Sequence, residues 1–246
     1  MNDPVLQNMI DLYHGAASFC QLKEGNNNCL YWVNNKQNHW PRTVIGDLQI
    51  EGVSDLVGNI ENHKMPPFLI FDSSKNMKSI PQLEQNGFRE VQRWQGMVLN
   101  KTDFLKSSTD GLNVKVVDSN NAMQHWGWIV KDVMLPNQTL PVCLLNGWLE
   151  NDNYLVYLGY ENEEPVSTGI AFLNDDVAGL YFIATLPENR GNGFASSLVS
   201  KLIADCFDKG ARKIVLHASV AGEKMYHNMG FKVTGPISTY WKVGTF

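Results

Sequence analysis

The chain has 246 residues, 43% of them hydrophobic, enough to bury one large core or two small ones. Only 18% are charged and the net charge is −5, which excludes the basic footprint of a nucleic-acid binder. The four cysteines, Cys20, Cys29, Cys143 and Cys206, show no CxxC spacing, so neither a disulfide framework nor a zinc site is expected. No apolar run is long enough to span a bilayer, and residues 1–11 lack a basic segment followed by an apolar one. These features predict a cytoplasmic protein with no metal and no membrane partner.

In chain order, Leu6, Met9, Ile10, Tyr13 and Ala17 predict a helix over 4–22. Residues 29–34 and 43–49 read as strands. Val53, Leu56, Val57 and Ile60 share one face of a helix over 52–62, which Met65-Pro66-Pro67 ends. A buried strand at 68–71, a helix at 79–86 and a strand at 88–100 come next. The polar, turn-rich stretch 101–111 reads as a link, so units of 1–100 and 112–246 are expected.

The second unit opens with a strand at 114–117 and helices at 119–134 and 140–150. Strands at 154–160 and 166–173 flank Glu161-Asn162-Glu163-Glu164 as a hairpin. A strand at 178–185 leads into Leu186-Pro187-Glu188-Asn189-Arg190-Gly191-Asn192-Gly193-Phe194-Ala195. Beyond it, Ala195, Leu198, Val199, Leu202, Ile203 and Cys206 follow an amphipathic helical spacing up to Gly210. A strand at 213–219, a short helix at 221–229 and one or two strands over 231–243 complete the chain. The class is mixed α/β.

A strand-to-helix loop with two glycines presents backbone N–H groups to an anion. It is not a Walker loop, which needs GxxxxGK[ST], and it is not GxGxxG. A tight turn with no ligand is the alternative that the decapeptide alone leaves open.

Arg190-Gly191-Asn192-Gly193-Phe194-Ala195 reads R-x-x-G-x-A, and Tyr226-His227-Asn228-Met229-Gly230-Phe231 reads Y-x-x-x-G-F. In this order and spacing they resemble the GNAT superfamily of acyl-CoA-dependent N-acyltransferases, over about residues 112–243. The resemblance implies the GNAT-like acyltransferase fold with a smaller N-terminal α/β unit. It also implies acetyl-CoA as co-substrate and a small-molecule or peptide amine as acceptor. The loop amides of Asn192, Gly193, Phe194, Ala195 and Ser196 would bind the pyrophosphate, Gly191 and Gly193 letting the backbone approach it closely, with Arg190 positioning the loop or pairing with phosphate. The backbone of Ile183, Ala184 and Thr185 would pair with pantetheine, and Tyr226 would protonate the leaving thiolate.

Departures from the pattern matter. Some members place a glutamate on the strand before the loop, but 177–185 carries no carboxylate. Asp175 and Asp176 read as turn residues. His217 is a candidate base, since an imidazole titrates near ~6.5; a hydrogen-bonded strand histidine is the competing reading. Relayed water or an acceptor arriving neutral would need no side-chain base. The family often has Asn seven residues before the tyrosine and Ala four before it; here stand Ser219 and Gly222. Ser219 can still hydrogen-bond pantetheine.

Leu83-Glu84-Gln85-Asn86-Gly87-Phe88 resembles the segment at Tyr226, with Leu83 in place of the tyrosine. The first 100 residues read either as a degenerate GNAT-like unit or as a coincidence of common helix-to-strand turns. His125-Trp126-Gly127-Trp128 lies where such folds border the acceptor; boxing a cation and packing the core are both open. Trp148 and Trp32 share that ambiguity. A non-catalytic acyl-CoA-binding or sensing module is the alternative function, and monomer and homodimer are equally compatible with the sequence.

Overall fold

The structure, a computed structural model, describes residues 3–27, 29–35, 39–107 and 111–244. Its backbone contacts divide into two compact units. One comprises 1–97, 217–223 and 233–246; the other comprises 98–216 and 224–232. The division therefore does not follow the chain, because the last strand returns to the first unit. Residues 108–110 of the expected link lie outside the described residues.

In the first unit, helix α1 (Pro4–Cys20) starts where Asp3 Oδ1 accepts from the amides of Val5 at 2.9 Å and Leu6 at 3.3 Å. These bonds satisfy two of the donors that a helix N-terminus leaves open. Strands β1 (Lys23–Asn26), β2 (Leu30–Asn34) and β3 (Thr43–Gly46) pair antiparallel in succession. Strand β1, Lys-Glu-Gly-Asn, has no apolar period and was not expected. Helix α2 (Val53–Glu61) crosses over to β4 (Phe68–Asp72), which pairs parallel with β3. Helix α3 (Ile80–Gln85) and β5 (Phe88–Asn100) come after it. The final strand β11 (Lys232–Lys242) is one continuous strand; it pairs antiparallel with β4, Ile237 opposite Asp72 and Trp241 opposite Phe68. The order is β1-β2-β3-β4-β11-β5. Val53, Leu56, Val57 and Ile60 of α2 pack in one buried cluster with Leu69, Phe71, Leu83 and Phe88, as their spacing predicts.

In the second unit, β6 (Asn113–Val116) precedes helices α4 (Asn120–Met134) and α5 (Val142–Glu150). Strands β7 (Tyr154–Glu161), β8 (Glu164–Asn174) and β9 (Val177–Thr185) form an antiparallel meander. The β7–β8 turn places Asn162 and Glu163 at φ 49 and 66, the positive pair that a tight hairpin requires. Helix α6 (Phe194–Asp208) crosses over to β10 (Lys213–Ala218), which pairs parallel with β9. The order is β10-β9-β8-β7-β6, a mixed sheet. Leu198, Val199, Leu202, Ile203 and Cys206 of α6 are all buried. Helix α7 (Val220–Asn228) comes after β10 and carries Tyr226.

Cys29 and Cys206 are free. Among the described residues no helix is long and apolar enough to cross a membrane.

Candidate active site

Strands β9 and β10 are parallel neighbours, so both end at the same edge of the second unit's sheet. Their register runs only from Lys213 opposite Val177 to Val215 opposite Gly179. Residues 180–185 continue beyond it. The carboxyl ends of adjacent parallel strands are where open α/β sheets receive ligands.

The loop leaving β9 is built in three steps. A single 3-10 turn spans Pro187–Asn189. Arg190 is extended, and its Nε donates to Thr185 O at 3.1 Å, tying the loop to the strand it leaves. Asn189 Nδ2 donates to Glu161 Oε2 at 2.6 Å, anchoring the turn to β7. Gly191 at φ 85 and Gly193 at φ 76 then carry the chain through the left-handed region, which a side chain would resist.

Gly193 is the residue before the first turn of α6, and no side chain caps that turn. Ser196 Oγ turns away to donate to Gly193 O at 2.7 Å. Gly191, Asn192 and Gly193 are exposed, whereas Phe194 is buried and pins the helix start. Exposed N–H groups are thereby presented at the positive end of α6, the environment a pyrophosphate requires. Gly191, Asn192, Gly193, Phe194, Ala195 and Ser196 thus form one continuous segment. Arg190 is exposed but engaged in closing the loop.

Ile183, Ala184 and Thr185 lie at the end of β9, just past a β-bulge. Thr168 pairs with Ala184 and Ile170 with Tyr181, leaving Gly169 opposite both Phe182 and Ile183. Phe182 takes φ 51, rare for a residue with a side chain. This bulge has no signature in the sequence, because Val177–Thr185 is too uniformly apolar for an inserted residue to interrupt an alternation.

Tyr226 is 7% exposed and meets Phe231 edge-on at 5.5 Å between ring centroids. Its hydroxyl forms no hydrogen bond with any described residue. Burial pushes its pKa above the ordinary phenol range, so the hydroxyl keeps its proton at neutral pH. Ser219 is exposed immediately before α7; its carbonyl accepts from Gly222 N at 2.9 Å and Glu223 N at 3.0 Å. Its backbone serves the start of that helix.

No carboxylate stands on β9, and Asp175, at φ 52, belongs with Asp176 to the turn before it. His217 packs against Trp94 at 4.5 Å between centroids, and burial lowers its pKa to about 4. It is neutral at pH 7 and only weakly basic. The cluster at 125–128 divides: Trp126 is fully buried, whereas Trp128 is 56% exposed. Trp148 is buried beside Trp126.

Residues 121–231 match the family model described as Acetyltransferase (GNAT) family. A GCN5-related N-acetyltransferase from Kribbella flavida superposes with a TM-score of 0.75 at 14% identity, covering 99% of this chain and 97% of that one. A GCN5-related N-acetyltransferase from Sphaerobacter thermophilus gives 0.63 at 14% identity, covering 86% and 76%. A functionally unknown conserved protein from Staphylococcus epidermidis gives 0.65 at 13% identity, covering 90% and 94%. No curated protein sequence matches the chain. At these identities the structural likeness is one of fold. The chain is built on the GNAT acyltransferase fold, and within its C-terminal half residues 121–231 match the GNAT family of acetyltransferases.

Proposed function

We propose that the chain transfers an acetyl group from acetyl-CoA to a primary amine of a small molecule or peptide by direct attack. The observation that carries this reading is the loop at 190–196. Two left-handed glycines and an uncapped helix start expose a run of amides suited to a pyrophosphate. Bound acetyl-CoA supplies the activated acyl group and a thiol leaving group. Ile183, Ala184 and Thr185 would offer backbone groups to pantetheine, as an added strand does. Ser219 would add a side-chain hydrogen bond.

Tyr226 acts as general acid at its Oη. A phenol held neutral by burial still has a proton to give when negative charge develops beside it. No side-chain base is assigned: β9 lacks a carboxylate and His217 is too weak a base to deprotonate an ammonium group. The acceptor therefore arrives neutral or loses its proton through water.

The first unit fits a degenerate repeat. Strand β3, helix α2 and parallel β4 occur in the same order as β9, α6 and β10. The loop into α2, Asp47-Leu48-Gln49-Ile50-Glu51-Gly52, brings carboxylates where the other loop brings Arg190, and Leu83 is fully buried. This reading gives one cofactor site per chain.

Thiol release from acetyl-CoA with a panel of amines tests the reading. Amine-dependent release that Tyr226→Phe abolishes supports it. Tight acetyl-CoA binding with no release for any amine favours a binding or sensing module, the reading to which the missing β9 carboxylate points.

A further inference from the structure

The bulge in β9 demands an explanation of its own. Phe182 sits at φ 51, a conformation that costs a residue with a side chain on the order of 1–2 kcal/mol. Such a conformation persists only where its surroundings hold it in place.

Four contacts do so. Thr168 Oγ1 donates to Phe182 O at 3.0 Å. Trp126 Nε1 donates to Gly169 O at 3.3 Å, on the strand directly opposite. The Trp126 and Phe182 rings meet edge-to-face, 5.7 Å apart and at 75°. Trp148 closes the other side, 5.6 Å from each ring. A Cβ at position 169 would fall 2.6 Å from Leu198 Cδ2 and 2.8 Å from both Ile183 Cδ1 and Leu202 Cδ1, so those side-chain ends would have to shift to admit one.

A bulge sets two residues against one, leaves the extra residue out of the ladder and redirects the strand beyond it. Here it falls after the parallel register with β10 has ended at Gly179 and before the glycine loop begins. The bulge at Phe182 immediately precedes Ile183, Ala184 and Thr185, the segment that the acyltransferase reading gives to the donor, and so sets the direction of that segment. The pyrophosphate cradle is a separate structure with its own anchors at Thr185 and Glu161.

We infer that Trp126 is a positioning residue for acyl transfer. Through its indole N–H to Gly169 and its ring contact with Phe182, it holds the β9 bulge that orients the acyl end of the donor, without contributing to pyrophosphate affinity. This inference rests on the acyltransferase reading above.

The test uses the full chain as wild type, Trp126→Phe and Thr168→Val. The second variant nearly conserves volume and removes only the hydroxyl bonded to Phe182. Amide hydrogen exchange without ligand is expected to accelerate about tenfold or more over 181–185 in both variants, with α6 unchanged. A misplaced reacting group costs up to ~100-fold in rate, so kcat should fall ~10- to 100-fold. The Kd for 3′-phospho-ADP, the part of CoA that carries the pyrophosphate and lacks pantetheine, should stay within about twofold, a separation of turnover from phosphate binding that general destabilisation would not produce.

Wild-type exchange at 181–185 in both variants overturns the inference. So does a loosened bulge with unchanged kcat, or a parallel loss of kcat, 3′-phospho-ADP affinity and Tm. A wild-type chain that neither binds CoA nor releases thiol overturns the acyltransferase reading and this role with it. The exchange comparison then still reports separately whether Trp126 holds the bulge.

Discussion

Arg190 Nε donates to the carbonyl oxygen of Thr185 at 3.1 Å, so the loop closes on the last residue of the strand it leaves. This bond lets an exposed loop present its amides in one arrangement. A typical hydrogen bond contributes ~0.5–1.5 kcal/mol net. Arg190→Ala is therefore expected to raise the KM for acetyl-CoA about three- to tenfold, with a smaller effect on kcat. Steady-state kinetics at saturating amine check this; an unchanged KM would remove Arg190 from the loop's working parts.

Gly193 precedes the first turn of α6 at φ 76 and ψ 7. An alanine there meets the left-handed penalty of ~1–2 kcal/mol or shifts the helix start. Gly193→Ala should lower Tm by several degrees and weaken CoA binding at least about tenfold in titration calorimetry. A variant that binds CoA as tightly as wild type would place the pyrophosphate elsewhere.

The Tyr226 hydroxyl lies within a nearly closed contact with no described hydrogen-bond partner, so Tyr226→Phe leaves packing intact. Tm should move little, while kcat falls ~100-fold or more, the usual scale for a lost general acid. Burial raises the tyrosine's pKa, so the folded chain holds this proton longer than the unfolded chain does. Its contribution to stability is full below about pH 10 and is lost as pH rises further. In wild type the kcat profile should accordingly show no loss from tyrosine ionisation up to about pH 10.

His217 titrates in the opposite sense. Burial lowers its pKa to about 4, from ~6.5 unfolded. The unfolded chain then binds more protons between these values, so stability is full above about pH 6.5 and declines as pH falls through 4. Allowing for partial solvent access, the loss is on the order of 2 kcal/mol. Denaturant titrations between pH 7 and pH 4 should show His217→Gln with a visibly flatter acid limb, whatever its stability at pH 7. An identical slope would mean that other groups carry the acid response.

Much of the local structure is legible in the residues alone. The apolar spacing of α2 and α6 specifies helices because burying a stripe at period 3.6 has one regular solution. Gly193 and the turn at Asn162 and Glu163 mark their own positions, since left-handed turns depend on residues within a few positions of each other. The loop and Tyr226 are legible because their motifs are local and ordered.

The illegible features are non-local. Lys23–Asn26 carries no apolar period, and its hydrogen bonds to β2 alone make it a strand. The return of β11 to β4 depends on backbone pairing across more than half the chain, which no side-chain pattern encodes. Trp126 and Trp128 are two residues apart, yet one is buried and the other exposed, because helix phase becomes meaningful only once the sheet has defined an inside. The sequence by itself determined the fold class, the place of the glycine loop between a strand and a helix, and the tyrosine proposed as acid. Only the tertiary structure decided the bulge at Phe182, the side chains that hold it and the neutral states of Tyr226 and His217. Each of these arises from desolvation and contact between distant segments.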